Sequence, residues 1–423
     1  MGDDAAVTAT MEKTWEYFKE HKLQERLQEA VQSVVNANAP APMLRFSEYF
    51  AKLHEESEES TPADYFDPEA LLESVEQGWI APLKGSWLIA LHDSKGRLKR
   101  RQDLPPEAFW TAAELREIVE KIQIYQDDAH GEIDWGLLFV ALSYRWLGKY
   151  HPDRWEDNKG HVLENFHLGI VAEAARLYLR KGDAWGSPLT AVFEKAGLKQ
   201  APDFAVFWDY CSLYQVDPTD GKRTAEEEAS FRRGLKASNI WYGHERSVCW
   251  MQTSLPAGFA ECSAVAPLAA TYFDSGWCFV EAAISSVLTM GRRRLNLAKR
   301  TAEVACYGGG WVPEAKLESV CAEGREPPML PDALHSLLQT RLKFTNGNDS
   351  GIVSRLYRTF FSSVESSATR LDFRGVGWGD TEVTKLLKVL RSSSAASHGS
   401  PPFALLTDLD LSENSLTEAS VSL

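Results

Sequence analysis

Alternation of apolar runs with helical patterns between residues 137 and 253 is the feature that most constrains the fold. The runs have the length of β-strands, and the segments between them repeat apolar residues at helical spacing. The runs are Leu137–Ser143, Phe204–Asp209 and Ser247–Thr253, and the helical patterns are 161–180 and 224–241. Strands that alternate with helices favour a parallel sheet covered by helices on both faces. The sequence therefore predicts an α/β fold with a central parallel sheet.

The first two apolar runs end abruptly in aromatic and charged residues. Tyr144, Arg145 and Trp146 follow the first run, and Trp208 and Asp209 close the second. The carboxyl ends of parallel strands face the ligand crevice in open α/β sheets. These five residues are therefore candidates for a binding site. Core packing of Tyr144 and Trp208, and a structural ion pair between Arg145 and an acid such as Asp209, are the alternatives.

A third phrase, Trp277-Cys278-Phe279-Val280-Glu281, places an acid four residues after a tryptophan on an apolar helix. A carboxylate among apolar residues is costly unless it has a partner or a function. Glu281 is therefore the candidate catalytic residue. The structural alternatives are that it caps its helix or pairs with an arginine.

Composition narrows the classes of function. The 423-residue chain is 44% hydrophobic and carries a formal charge of -15, which disfavours nucleic-acid binding. The short basic runs 99–101 and 292–294 are expected to be solvated. Six widely spaced cysteines favour neither a metal site nor disulfides, so a reducing, intracellular and cytoplasmic setting is expected. The chain has no apolar stretch long enough for membrane insertion.

Two regions precede the main domain, and the sequence predicts helices in the first and both a β-hairpin and a helix in the second. Residues 11–54 read as two amphipathic helices, too short to bury their apolar stripes alone, so a homodimer through a four-helix bundle is expected. The alternative is a hairpin that packs on the next domain. An acidic linker follows at 55–64. Residues 65–130 are predicted as a small β-hairpin, with a strand at 87–91, and a helix that begins with a capping box at Thr111.

The C-terminal residues 366–423 carry a repeat pattern. Leu406, Leu409, Leu411, Asn414 and Leu416 have the spacing of a leucine-rich repeat, and a degenerate copy precedes them. Two copies bury too little surface on their own. Either the segment docks on the main domain or the chain has been cut short. The repeats are expected to bind other proteins.

Together the three phrases resemble the Toll/interleukin-1 receptor (TIR) superfamily, in its heterokaryon-incompatibility branch. Ala141–Trp146 resembles the opening strand of that branch, Phe207–Gln215 its Trp-Asp-x-Cys signature, and Trp277–Glu281 the Trp-Cys-x-x-Glu helix of plant TIR domains. The resemblance implies a flavodoxin-like TIR architecture for residues 131–365. Separately, Tyr17–Leu23 and the residues after it resemble the docking-and-dimerisation helix pair of the Dpy-30 and regulatory-subunit type.

The TIR resemblance implies two functions. In catalytic members the glutamate supports cleavage of the bond between nicotinamide and ribose in NAD, and that role falls on Glu281. A carboxylate stabilises the positive charge that develops on the ribose. The implied substrate contacts are Tyr144, Arg145, Trp146, Trp208, Asp209 and Trp277. Many TIR domains are adaptors, so a self-associating signalling scaffold is the favoured expectation and NAD hydrolysis the alternative. No cofactor is expected, and NAD enters only as a substrate.

Overall fold

The computed structural model describes residues 27–32, 64–129, 135–157, 159–180, 188–261, 271–289, 293–300, 317–344, 349–392 and 402–418. The chain divides into two compact units, Met1–Pro62 and Ala63–Leu423. In the first unit, residues 27–32 are helical, as the sequence predicts for that stretch. The rest of the predicted helix pair and the acidic linker up to residue 63 lie outside the described residues.

The second unit is built on a five-stranded sheet. Its strand order is β1-β5-β2-β6-β7, and β5, β2, β6 and β7 run parallel while β1 pairs antiparallel with β5. The predicted α/β class and parallel sheet are confirmed, with the antiparallel edge strand as an addition. The described strands are β1 (Leu83–Lys84), β2 (Phe139–Tyr144), β3 (Arg154–Glu156), β4 (Val162–Glu164), β5 (Ala205–Phe207), β6 (Val248–Gln252), β7 (Arg294–Asn296), β8 (Arg370–Asp372) and β9 (Asp408–Asp410).

β2 lies in the centre of the sheet, and helices cover both faces of the sheet. All six residues of β2 are buried, and a strand covered on both faces forms a continuous apolar run in the sequence. The described α-helices of the second unit are α1 (Pro68–Glu76), α2 (Gly85–Asp93), α3 (Ala112–Ala129), α4 (Phe166–Tyr178), α5 (Pro188–Lys195), α6 (Asp209–Ser212), α7 (Ala225–Gly243), α8 (Gly276–Leu288), α9 (Leu317–Cys321), α10 (Pro331–Thr340), α11 (Asp349–Ser367) and α12 (Asp380–Arg391).

Local capping signals in the sequence are confirmed at two helices. The Thr224 hydroxyl accepts from the backbone N–H of Glu227 at 3.2 Å, and the Glu227 carboxylate accepts from the backbone N–H of Thr224 at 2.9 Å. Thr111 and Glu114 make the same reciprocal pair before α3. These bonds satisfy amide groups that have no partner inside the helix.

Two predicted elements are wrong. The residues expected to form a strand at 87–91 lie within α2. The segment before the main domain, residues 65–130, which we call the lead-in, is therefore mainly helical and contains one short strand, β1. The helix predicted to start at residue 161 begins at Phe166, because Val162–Glu164 pairs with Arg154–Glu156 as an antiparallel hairpin. Short apolar runs fit either a strand or a buried helix, so periodicity alone could not decide.

The basic run at 292–294 also differs from expectation. Arg294 is 4% exposed and lies in β7, where its guanidinium donates to the Ser285 hydroxyl at 3.2 Å and the Ala282 carbonyl at 3.3 Å. In the run at 99–101, Arg101 is half-buried and donates to the carbonyl of Ser212 at 3.2 Å. Both arginines therefore satisfy backbone or side-chain acceptors inside the fold, and the expectation of a solvated face is wrong for them.

The C-terminal segment is attached to the sheet unit through Arg325. Its guanidinium donates to the carbonyl of Asp372 in β8 at 2.6 Å and to the carbonyl of Ser286 in α8 at 2.8 Å. β8 and β9 run parallel. The Asn414 amide donates to the carbonyl of Phe373 at 2.7 Å, and its oxygen accepts from the Trp378 N–H at 3.0 Å. Asn414 thus satisfies backbone groups inside the turns, as expected of a repeat asparagine.

Candidate functional site

The carboxyl ends of β2 and β5 meet at Asp209. The Tyr144 hydroxyl and the Tyr210 backbone N–H each donate to Asp209 Oδ1 at 2.6 Å, and the Trp146 indole donates to Oδ2 at 3.0 Å. Burial raises the pKa of Asp209, and these donors offset part of that rise. Both carboxylate oxygens therefore bond to the protein itself. Asp209 holds the ends of two strands together.

Glu281 lies in a second polar cluster at the end of β2. The Ser143 hydroxyl donates to Glu281 Oε2 at 2.5 Å and lies 2.5 Å from the Tyr272 hydroxyl. Burial raises the pKa of Glu281 to about 8, while Ser143 and Tyr242 lower it in part and the negative charge of Asp209 raises it further. The residue as a whole is half-buried, and its carboxyl group is enclosed. At pH 7 the carboxyl group is therefore mostly protonated.

The position of Glu281 removes one structural explanation for it. The residue is the sixth of α8, whose N-cap is Ser275, so it does not cap the helix. The Ser143 hydroxyl is its hydrogen-bond partner. Glu281 therefore ties α8 to the end of the central strand.

The other predicted site residues are buried or half-buried, and their polar groups bond to the protein itself or have no open face. Trp208 is fully buried, and its ring packs edge-on against Tyr144 with 5.5 Å between ring centroids, so no face of it is open to a ligand. Arg145 is 4% exposed and donates to the Trp146 carbonyl at 3.0 Å, and burial lowers its pKa. Trp277 is half-buried and donates to Asp349 of α11 at 2.9 Å. The structure thus brings Tyr144, Trp146, Trp208 and Asp209 together and ties Trp277 elsewhere.

Several residues of the site were not predicted. Ser143 ends the apolar run of β2, and a buried hydroxyl at that position was a signal that sequence reasoning passed over. Tyr242 and Tyr272 carried no such signal, because their approach to Glu281 depends on how α7 and the turn before α8 pack. His167 is buried and in contact with the carbonyl of Arg145 at 2.9 Å, and burial lowers its pKa to about 3, so it is neutral.

A cavity of about 270 Å³ opens beside this edge of the sheet. Trp146, Lys149, Tyr210 and Gln215 contribute to its lining, together with residues before α3, whereas Asp209 and Glu281 do not line it. Among the described residues, no three His, Cys, Asp or Glu side chains come together in a way that could hold a metal ion. The cavity therefore adjoins the Asp209 cluster through Trp146 and Tyr210, while neither acid faces it.

No protein-family model, curated protein or solved structure matches this chain. Within the described ranges, no helix combines the length and the apolar character that crossing a membrane requires. The TIR resemblance and the functions it implies therefore rest on the residues themselves.

The raised pKa of Glu281 predicts a specific pH dependence of stability. The pKa is about 8 in the folded chain against 4.5 for an unperturbed glutamate, so the folded chain holds this proton more tightly. Below pH 4.5 the carboxyl group does not lower the stability of the folded chain. As the pH rises from 4.5 to 8, it destabilises the folded chain progressively. We expect the stability of Glu281→Gln relative to the parent chain to increase by about 4 kcal/mol from pH 5 to pH 9, measured by urea unfolding.

Glu194→Gln is the matched control for this measurement, because Glu194 is exposed near the end of α5. We expect its stability difference from the parent to stay constant over the same range. An equal pH dependence in both variants would show that the Glu281 carboxyl is not held in its protonated form.

Proposed function

We propose that the protein is an intracellular assembly scaffold built on a TIR-like domain, with dimerisation through residues 11–54 and protein binding through the C-terminal repeats. The observation that carries the proposal is an exposed apolar pair on the N-terminal helical segment. Leu27 is 46% exposed and Val31 is 50% exposed, and they lie one helical turn apart. A second copy that presents the same stripe would cover both side chains.

Strand order supports the TIR-like part of the proposal. The four parallel strands, counted in chain order from β2, lie side by side as 2-1-3-4. This is the order of flavodoxin-like sheets, the architecture that the TIR resemblance implies. An order alone leaves activity open, because one fold serves many functions.

The bonding of the two acids supports a scaffold over a catalyst. Both oxygens of Asp209 accept from the protein, and Glu281 is bonded to Ser143 and mostly protonated at pH 7. A site that binds ribose hydroxyls needs acceptors free for the ligand. Here the acceptors at the strand ends stabilise the fold.

Sedimentation equilibrium of the full chain tests the scaffold proposal. We expect a monomer–dimer equilibrium whose dimer fraction rises with protein concentration in the micromolar range. A single monomeric species at every concentration up to about 100 μM, where even weak transient contacts become populated, would contradict the proposal.

NAD hydrolysis is the second candidate, and the buried carboxyl group of Glu281 at the end of the central strand favours it. Loss of nicotinamide leaves positive charge on the ribose, which only the ionised carboxylate stabilises. With a pKa of about 8, the group becomes ionised as the pH rises. This function therefore predicts that kcat for nicotinamide release increases about tenfold from pH 7 to pH 9, and that Glu281→Gln removes both the activity and its pH dependence.

A further inference from the structure

The cavity beside the strand ends has walls from three separate parts of the chain. One wall is the segment 98–103, which precedes α3. The second is the loop after β2, with Trp146, Lys149 and Tyr150, and the third is the loop after α6, with Gln215. The first wall lies outside the TIR-like region 131–365. A ligand in this cavity would therefore touch both the lead-in and the sheet domain.

Among the charged side chains around the cavity, the cations Lys99, Arg100 and Lys149 outnumber the one carboxylate, Asp103, although the chain as a whole carries a charge of -15. Lys99 and Lys149 are exposed, and in the described parts of the chain no carboxylate lies within ion-pair distance of either. Arg100 differs, since it pairs with Asp103 at 2.7 Å and with Asp217 at 3.1 Å. Two lysines without a carboxylate partner at one opening favour an anion.

Aromatic rings lie beside these cations. Tyr150 is 63% exposed, and the Lys149 ammonium lies 5.1 Å from the centre of its ring. Trp146 and Tyr210 pack edge to face with 5.6 Å between ring centroids and also line the cavity. Rings at an opening of this kind offer surface to the planar or apolar part of a ligand.

The volume limits the size of that ligand. A cavity of about 270 Å³ lies just below the roughly 300–1,000 Å³ typical of sites for drug-sized molecules. A sugar phosphate or a single nucleoside monophosphate is of the size that such a volume holds, whereas a dinucleotide exceeds it. We infer that this cavity binds a small phosphomonoester of a sugar or nucleoside, with Lys99 and Lys149 on the phosphate and the aromatic rings on the remainder.

Ligand binding in the cavity has a structural consequence, because hydrogen bonds already join the segment 98–103 to the chain around α6 and the loop after it. The Gln102 side chain donates to the carbonyl of Gln215 at 2.7 Å, and the Cys211 thiol donates to the carbonyl of Lys99 at 3.3 Å. A phosphomonoester bound between Lys99 and Lys149 adds a bridge from the segment 98–103 to the loop after β2. The ligand therefore stabilises the attachment of the lead-in to the sheet domain, independently of dimerisation and of NAD cleavage.

Isothermal titration calorimetry of the full chain tests this site with ribose 5-phosphate and AMP as probes. We expect both to bind with dissociation constants below about 1 mM, and their neutral parents ribose and adenosine to bind at least tenfold more weakly. Lys149→Gln and Lys99→Gln should each weaken AMP binding about tenfold. Lys195→Gln, which changes an exposed lysine on α5, should leave it unchanged.

Either of two results would overturn the site. One is the absence of phosphomonoester binding to the parent chain at millimolar concentration. The other is equal AMP affinity in the parent, Lys99→Gln, Lys149→Gln and Lys195→Gln proteins, which would place any bound phosphate elsewhere. Circular dichroism of each variant checks that the fold is retained, as expected for substitutions of exposed lysines.

Discussion

Leu27→Asp and Val31→Asp should each convert the protein from a dimer to a monomer at micromolar concentration. Both side chains are about half exposed on one helical stripe, so each leaves apolar surface for a partner to cover. A dimer uses the stripe twice, so each substitution removes two apolar contacts and buries two carboxylates. The expected loss is about 3 kcal/mol or more, equivalent to an affinity at least about 100-fold weaker. Sedimentation velocity across a concentration series measures it.

Gln28→Asp is the control for helix propensity and charge. Gln28 is exposed on the same helical segment, about a quarter turn away from the Leu27 and Val31 stripe. We expect Gln28→Asp to keep the dimer. Equal dissociation in all three variants would attribute the effect to added charge and would remove the stripe as the interface.

Arg325→Met should cost about 4 kcal/mol of folding stability and loosen the C-terminal segment. The guanidinium is 4% exposed and donates to the carbonyls of Ser286, Val287 and Asp372, and it lies 4.6 Å from the centre of the Phe373 ring. Methionine fills similar space but leaves these buried carbonyls without a donor, at about 1–3 kcal/mol each. Urea unfolding measures the loss, and hydrogen exchange of residues 370–378 measures the loosening.

Arg374→Met is the comparison for this prediction. Arg374 is exposed and pairs with Glu413 at 2.5 Å, so its loss should change stability far less than the loss of Arg325. If the two variants lost equal stability, the bonds of Arg325 to α8 and β8 would contribute no more than a surface ion pair. The attachment of the C-terminal segment would then rest on the apolar residues that it contributes to the shared core, such as Leu371 and Phe373.

The sequence predicts the centre of the fold well, because β2 and β6 are covered on both faces. Complete burial makes such strands continuous apolar runs, so their positions are read within one or two residues. Capping residues predict the starts of α3 and α7 for a different reason, since a cap is a local interaction between neighbours in sequence. Apolar runs and capping residues can both be recognised in the sequence without knowledge of the tertiary structure.

The rest depends on tertiary contacts. β7 has three residues and includes buried Arg294, whose acceptors come from α8, so no apolar run announces it. The same limit applies at the site. The sequence indicates Asp209 because this residue follows an apolar run. In the Glu281 cluster, by contrast, Ser143 and Tyr272 contact each other although they are 129 residues apart in the chain. Hydrogen bonds of that kind depend on packing that sequence periodicity does not encode.

Nicotinamide release by the purified full-length protein, at the high concentration that favours the dimer, tests the central claim most directly. That claim is that the acids at the strand ends stabilise an assembly scaffold. It predicts the same background release from the parent chain, Glu281→Gln and Glu194→Gln at pH 7 and at pH 9. Release by the parent and by Glu194→Gln, lost in a folded Glu281→Gln protein, would contradict the scaffold and establish an NAD-cleaving enzyme.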